Sequence, residues 1–202
     1  MSDTTLVLWD IGRTLLYVGN IDRQVYREVF RKLLGRFPKK LPERGTGMTM
    51  PLAIRYLLLD NGVPAEEVPQ VVAEMVDLLP AQLSHHVPEI LRSGTPLPGA
   101  IEALRSAQAA PNLVPTVVTG NHKANAVIKL RTFALDTYLD MEIGGFASDN
   151  QHWPTLVGIA QRRADIPTTP MSRLASQSRL TASARARRQK QRPRAKQARR
   201  RA

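Results

Sequence analysis

The 202-residue sequence contains no cysteine, which excludes disulfide bonds and thiolate metal sites and fits a reducing compartment. No apolar stretch approaches the roughly 20 residues that are needed to span a bilayer. The first residues, MSDTTLVLWD, lack the basic, apolar and small-residue order of a signal peptide. These absences predict a soluble cytoplasmic protein without membrane partners.

Acidic residues are nearly absent from one end of the chain, where the net charge of +12 is concentrated. Residues 162–202 hold 14 of the 29 Lys and Arg but only one acid, Asp165. Residues 1–161 hold the remaining 15 basic and 16 acidic residues and are close to neutral. The sequence therefore predicts an ordinary globular domain that carries a strongly basic tail.

Strand-like and helix-like patterns alternate along the near-neutral part. Short apolar runs typical of buried strands occupy 5–10 and 113–119, and a weaker one lies within 141–150. Helical patterns cover 21–35, most of 49–92, 99–109, 122–135 and 154–165. In the helix at 122–135, Val127, Leu130 and Ala134 are expected on one face. The alternation predicts an α/β fold with a Rossmann-like parallel sheet.

Two of the predicted strands end on residues that can carry chemistry. In LWDIGRTLL the first strand ends on Asp10, and the second ends on Thr119-Gly120-Asn121. A carboxylate at the mouth of a core is costly unless it is paired, and ligands bind at the carboxyl ends of parallel strands. The alternative is that Asp10 is only a turn residue before Gly12. The position at a strand end favours the chemical interpretation.

Several segments together resemble the haloacid dehalogenase-like hydrolase superfamily. LWDIGRTLL resembles its first motif and VVTGN its second, while PLPGAIEALRSA resembles the return from an inserted cap to the core. The resemblance extends over roughly residues 4–164. It implies a core formed by 1–15 and 96–165, a helical cap at 16–95, and phosphatase activity on a small phosphorylated metabolite.

The resemblance also implies roles for individual residues. Asp10 matches the nucleophile that forms an aspartyl-phosphate, and Thr119 with the neighbouring Gly120 and Asn121 matches the group that holds the phosphoryl oxygens. A magnesium ion is implied, bound by the Asp10 carboxylate and the Gly12 carbonyl.

The basic residue that neutralises the phosphate in this superfamily has one main candidate here. Lys129 lies on the helix after Thr119 and is the best match. A solvated lysine on an amphipathic helix is the alternative.

The sequence departs from the family pattern at the first motif. Gly12 stands where the family has a second aspartate, the general acid/base, whose help is worth roughly 10²–10⁴-fold in rate. Arg13 stands where the family has glycine, and its guanidinium would either clamp a phosphate or occupy the neighbourhood of the metal.

The fourth motif, an apolar strand followed by an acidic loop, is missing. From Ile166 onward there are 12 basic residues, no acids and no aromatics. Asp149 is a weak substitute for the lost metal ligand because it follows the third strand. The loss predicts weaker magnesium binding and an uncovered sheet edge.

The basic tail at 166–202 cannot bury enough apolar surface to offset its ordering entropy and is expected to be disordered. One interpretation is an arm that binds nucleic acid through phosphates without sequence preference. The favoured one is a shifted reading frame that truncated the hydrolase. The prediction is therefore an impaired magnesium-dependent phosphatase, with carbon–halogen or carbon–phosphorus cleavage also open. The alternatives are a catalytically dead domain and a non-specific nucleic-acid binder.

Overall fold

A computed structural model describes residues 4–41 and 48–165 of the chain. The expectation of a disordered tail at 166–202 lies outside these described residues. Within them, none of the helices combines the length and the apolar character that crossing a membrane requires.

A parallel sheet forms the centre of the fold. Its strands are β1 (Thr5–Trp9), β4 (Leu113–Thr119) and β5 (Gly145–Phe146), in the spatial order β1-β4-β5. Both neighbouring pairs are parallel, with Trp9 beside Val117 and Thr119 beside Phe146. The predicted α/β class is confirmed. This register brings the carboxyl ends of β1 and β4 to the same edge of the sheet.

A helical insertion separates β1 from β4 and is entered and left through a two-stranded ribbon. The ribbon pairs β2 (Leu16–Tyr17) antiparallel with β3 (Thr95–Pro96). The helices are α1 (Ile21–Leu34), α2 (Met50–Asp60), α3 (Val68–His85), α4 (Val87–Ser93), α5 (Ala100–Ala109), α6 (Lys123–Thr132) and α7 (Trp153–Arg163). In sequence order, the helices α1 to α4 therefore come between the two strands of the ribbon, and α5 to α7 alternate with the sheet strands.

The ends of the helices follow from local sequence. Gly35 ends α1 with φ of 68°, a left-handed conformation that glycine adopts without a Cβ clash, and its N–H donates to the Arg31 carbonyl at 2.9 Å. The Asn61-Gly62 pair ends α2, and Gly62 has φ of 75°. Pro80, in contrast, lies inside α3, which continues past it.

The first strand is less buried than its sequence predicts. Leu6, Leu8 and Trp9 are half-exposed rather than buried. The physical reason is that, within the described ranges, β1 has a strand partner on one side only, β4. The opposite edge of β1 is the sheet edge that was expected to be uncovered, because the sequence lacks the apolar strand of the fourth motif.

The prediction of which residues form the buried face of α6 is also partly wrong. The structure buries Asn125, Ala126, Lys129 and Leu130, whereas Val127 is only half-buried. Ala134 lies beyond the end of the helix and has φ of 54°. The inner face is therefore rotated toward Lys129.

Candidate active site

A cavity of about 470 Å³ lies at the carboxyl ends of β1 and β4. All of the site residues that the sequence predicts line it: Asp10, Gly12, Arg13, Thr119, Gly120, Asn121 and Lys129. Asp10 and Thr119 are 109 positions apart in the sequence, and they meet at one place because the two strands are parallel neighbours.

Asp10 is placed by the end of β1 and is half-buried. Its Oδ1 accepts a hydrogen bond from the Ile11 N–H at 2.8 Å. Burial raises the pKa of the Asp10 carboxyl, while the Ile11 N–H, the Thr119 hydroxyl and the charge of Lys129 oppose that shift. A partly buried carboxylate with hydrogen-bond donors on one side is suited to nucleophilic attack.

A polar network connects the end of β4 to α6. The Oγ1 of Thr119 accepts a hydrogen bond from Nδ2 of Asn121 at 2.9 Å. The Lys129 ammonium donates to Oδ1 of Asn121 at 2.8 Å and pairs with Oδ1 of Asp22 at 2.7 Å. The Lys129 side chain is 4% exposed, so the alternative of a solvated lysine is wrong. Its partners fix the ammonium at the wall of the cavity.

Gly12 and Arg13 form the turn after β1. A Cβ built on Gly12 meets no atom within 4 Å, so the position has room for a side chain. Arg13 has φ of 60°, a left-handed conformation that costs a non-glycine residue roughly 1–2 kcal/mol. A glycine would adopt this conformation without that cost. The Arg13 side chain is exposed and lines the cavity.

The loop after β4 is covered by the segment that leads into α2. A Cβ on Gly120 would lie 2.5 Å from the Met48 carbonyl oxygen, so only glycine fits. The Met50 N–H donates to the Gly120 carbonyl at 2.7 Å, and the buried Thr49 hydroxyl donates to the Gln151 carbonyl at 2.8 Å. The helical insertion therefore contacts the loop after β4 directly.

Sequence reasoning missed several residues of the cavity wall. Asp22 is the partner of Lys129, and its only sequence signal is its place in the first turn of a helix. Tyr26 lies one turn further along, where burial and the negative charge of Asp22 raise its pKa. Met48, Met50 and Trp153 also line the cavity and have no signal of their own.

Asp149 is not part of the cavity wall. Its carboxylate pairs with the two terminal nitrogens of Arg163 at 2.7 and 2.8 Å and accepts the Phe146 N–H at 2.9 Å. Burial would raise its pKa, but Arg163 and the Phe146 N–H outweigh burial and hold the pKa below its usual range. A carboxylate committed to these donors is a structural ion pair rather than a replacement metal ligand.

Magnesium fits this donor set only with help from the substrate. Within 4–41 and 48–165 no group of three or more His, Asp or Glu could hold a metal. Asp10 and Asp22 are the acids of the cavity, and Asp22 is paired with Lys129. Mg²⁺ commonly binds through one or two carboxylates, several waters and a substrate phosphate. In such a set the Asp10 carboxylate and the Gly12 carbonyl would be the protein's ligands.

The fold is similar to that of a solved protein from Lactobacillus plantarum that is assigned as a phosphoglycolate phosphatase. The two chains share 18% sequence identity with a TM-score of 0.52, over 82% of this chain and 73% of the other. A HAD family hydrolase from Deinococcus radiodurans R1, solved with phosphate and sodium, shows 18% identity over 82% of this chain and 69% of its own. Its TM-score of 0.42 is too low to support a conclusion.

No family model matches the sequence, and no curated protein matches it either. At 18% identity the similarity establishes the fold alone. The α/β fold with a parallel sheet that the sequence predicts is therefore shared with the Lactobacillus plantarum protein.

Proposed function

We propose that the protein is a phosphatase that hydrolyses a small phosphorylated metabolite through an aspartyl-phosphate. The observation that carries the proposal is the convergence of Asp10, Thr119 and Lys129 in one cavity at the carboxyl ends of two parallel strands. The core would be formed by 1–15 and 96–165. The insertion at 16–95 would act as a cap, consistent with the contact of Met48 and Met50 with Gly120.

In the first step an Asp10 carboxylate oxygen attacks the phosphorus atom. The bond from phosphorus to the ester oxygen breaks, and the leaving oxygen takes its electron pair and then a proton from water. The Lys129 ammonium and the N–H groups that follow Thr119 stabilise the charge on the phosphoryl oxygens. A bound Mg²⁺ would add positive charge to the same oxygens.

In the second step water attacks the phosphorus of the aspartyl-phosphate, which releases inorganic phosphate and restores the Asp10 carboxylate. In both steps a proton has to be transferred, to the leaving oxygen in the first and from the attacking water in the second. The side chain at position 12, two residues after the nucleophile, is placed to transfer it. Gly12 has no group that can donate or accept that proton. We therefore propose that turnover is slow and that this step, rather than phosphate binding, is impaired.

The pH dependence of kcat/KM tests the role of Lys129. Asp10 must be ionised to attack, so the acidic limb of the profile reports its pKa in the free enzyme. Because the charge of Lys129 lowers the pKa of Asp10, Lys129→Met is expected to move that limb to higher pH. Loss of the ammonium should also reduce kcat/KM on the order of 10²-fold.

Lys123→Met is the matched control for this substitution. Lys123 is on the same helix, but it is 38% exposed and pairs with Glu142 outside the cavity. It should leave the acidic limb in place. An acidic limb that stays unchanged in Lys129→Met would remove Lys129 from the proposed site.

Binding of nucleic acid through the tail is the second candidate function, favoured by the 12 basic residues and absence of acids from Ile166 onward. The full chain is expected to bind DNA without sequence preference, with log affinity falling against log salt by about 0.9 per phosphate contact. A chain that ends at Asp165 should lose this binding and retain any phosphatase activity. Binding that survives the deletion would locate nucleic-acid recognition in the core.

A further inference from the structure

A second and larger groove lies along α1, beside the active-site cavity. Its volume is about 930 Å³, and Arg23 belongs to the walls of both cavities. Arg27 and Arg31 follow Arg23 at intervals of four residues, which places the three side chains on one face of the helix. Lys32 and Phe37 complete the basic side of the groove.

The groove wall carries more cations than acids. In the described part of the chain, Arg27, Arg31 and Lys32 form no ion pair. Glu28 is the acid of the groove wall. These three cations alone therefore outnumber the one carboxylate.

That one carboxylate is already occupied by hydrogen-bond donors. Glu28 accepts from Gln24 at 3.0 Å and from Gln82 at 2.7 Å, and His86 contacts it at 2.7 Å. Burial would raise the pKa of Glu28, but these hydrogen bonds outweigh burial and lower it. Glu28 is thus held by its own neighbours and is not directed at the arginines.

Two of the arginines contact the aromatic ring of Phe37. The guanidinium carbon of Arg27 lies 5.4 Å and that of Arg31 lies 4.7 Å from the centre of the Phe37 ring. Cation–π contact of this kind holds a guanidinium by its face and leaves the N–H groups at its edge available. Two guanidinium groups that contact one aromatic ring and form no ion pair within the described residues are suited to bind a phosphate or carboxylate.

We infer that this groove binds a second anionic group of an elongated phosphorylated substrate whose scissile phosphate is held beside Asp10. The inference rests on the proposed phosphatase function, since it assigns the far end of the same substrate. From Arg23 to Arg27 and on to Arg31 the helix rises about 6 Å and about 12 Å. The substrate would therefore carry a phosphate or carboxylate several bonds away from its phosphomonoester, rather than being a compact ester with a single anionic group.

The test compares hexane-1,6-diol bisphosphate with hexyl phosphate by titration calorimetry on the full chain, at about 0.15 M salt, where the screening length is about 8 Å. The bisphosphate is expected to bind about ten-fold tighter or more, the scale of one or two charge-assisted hydrogen bonds. The groove variant Arg27→Gln/Arg31→Gln should lose this advantage and keep its affinity for hexyl phosphate. A third probe, 6-phosphohexanoate, distinguishes a carboxylate site from a phosphate site.

The matched control is Arg55→Gln/Arg105→Gln, which removes the same charge from two exposed arginines outside both cavities. Because the basic tail attracts every bisphosphate, the decisive comparison is between the two double variants. An equal preference for the bisphosphate in both would overturn the inference. If Asp10-dependent hydrolysis is absent while the groove variant alone loses the preference, the phosphatase proposal fails and the anion groove stands.

Discussion

Replacing Gly12 with aspartate is expected to raise the turnover of a generic aryl phosphate by roughly 10²-fold or more, the lower end of what a positioned general acid/base contributes. The substitution returns a carboxyl group to the position where the leaving oxygen and the attacking water exchange protons. The backbone accepts it, because a Cβ at Gly12 meets no atom within 4 Å and Gly12 does not have the positive φ that disfavours a side chain. Steady-state kcat is the quantity to compare.

Gly12→Asn is the matched control because the amide has the size of the carboxyl group but cannot act as the acid/base. It should remain at the rate of the parent protein. An unchanged rate in Gly12→Asp would mean that the missing fourth motif, and not Gly12, limits catalysis.

Asp10→Asn is expected to abolish phosphatase activity while improving stability at neutral pH. The amide has nearly the shape of the carboxylate but cannot form the aspartyl-phosphate, so the loss should reach the background of the assay. The stability effect follows from the pKa of Asp10, which burial raises in the folded chain. A group with a raised folded pKa contributes stability at low pH, and that contribution is lost as pH rises through the folded pKa.

Urea unfolding at several pH values measures this second effect. Asp10→Asn should be more stable than the parent protein near pH 7, and the difference should shrink toward pH 4, near the ordinary pKa of aspartate. Asp149→Asn is the matched control with the opposite sign, because Arg163 and Phe146 hold the pKa of Asp149 low. That variant should be less stable near neutral pH and should keep its activity. Wild-type activity in Asp10→Asn would remove Asp10 from the mechanism.

The strand-end residues of the site were predictable from the sequence. Asp10 and Thr119 each follow a short apolar run, and parallel strands bring such ends to one edge of a sheet. Within the described residues β1 has no strand partner on its second side, and this too was predictable, because no apolar strand follows α7 in the sequence. Both predictions depend only on patterns within short segments.

The placement of Lys129 was not predictable in the same way. Its position on α6 permits either a solvated or a buried lysine, and its partner Asp22 is more than 100 residues away in sequence. The cover that Met48 forms over Gly120 likewise depends on a contact between distant segments. Helical periodicity cannot specify such contacts, because they are set by how the insertion packs on the sheet.

The most direct measurement is to trap the aspartyl-phosphate. The full chain is incubated with acetyl phosphate and Mg²⁺, quenched in acid and digested with pepsin at low pH, where an acyl phosphate survives, and the peptide that contains Asp10 is analysed by mass spectrometry. The account predicts that this peptide gains one phosphoryl group, that fragmentation locates it on Asp10 rather than Asp3, and that Asp10→Asn shows none. Hydrolysis of phosphate esters without phosphorylation of Asp10, or with the same label in Asp10→Asn, would contradict it.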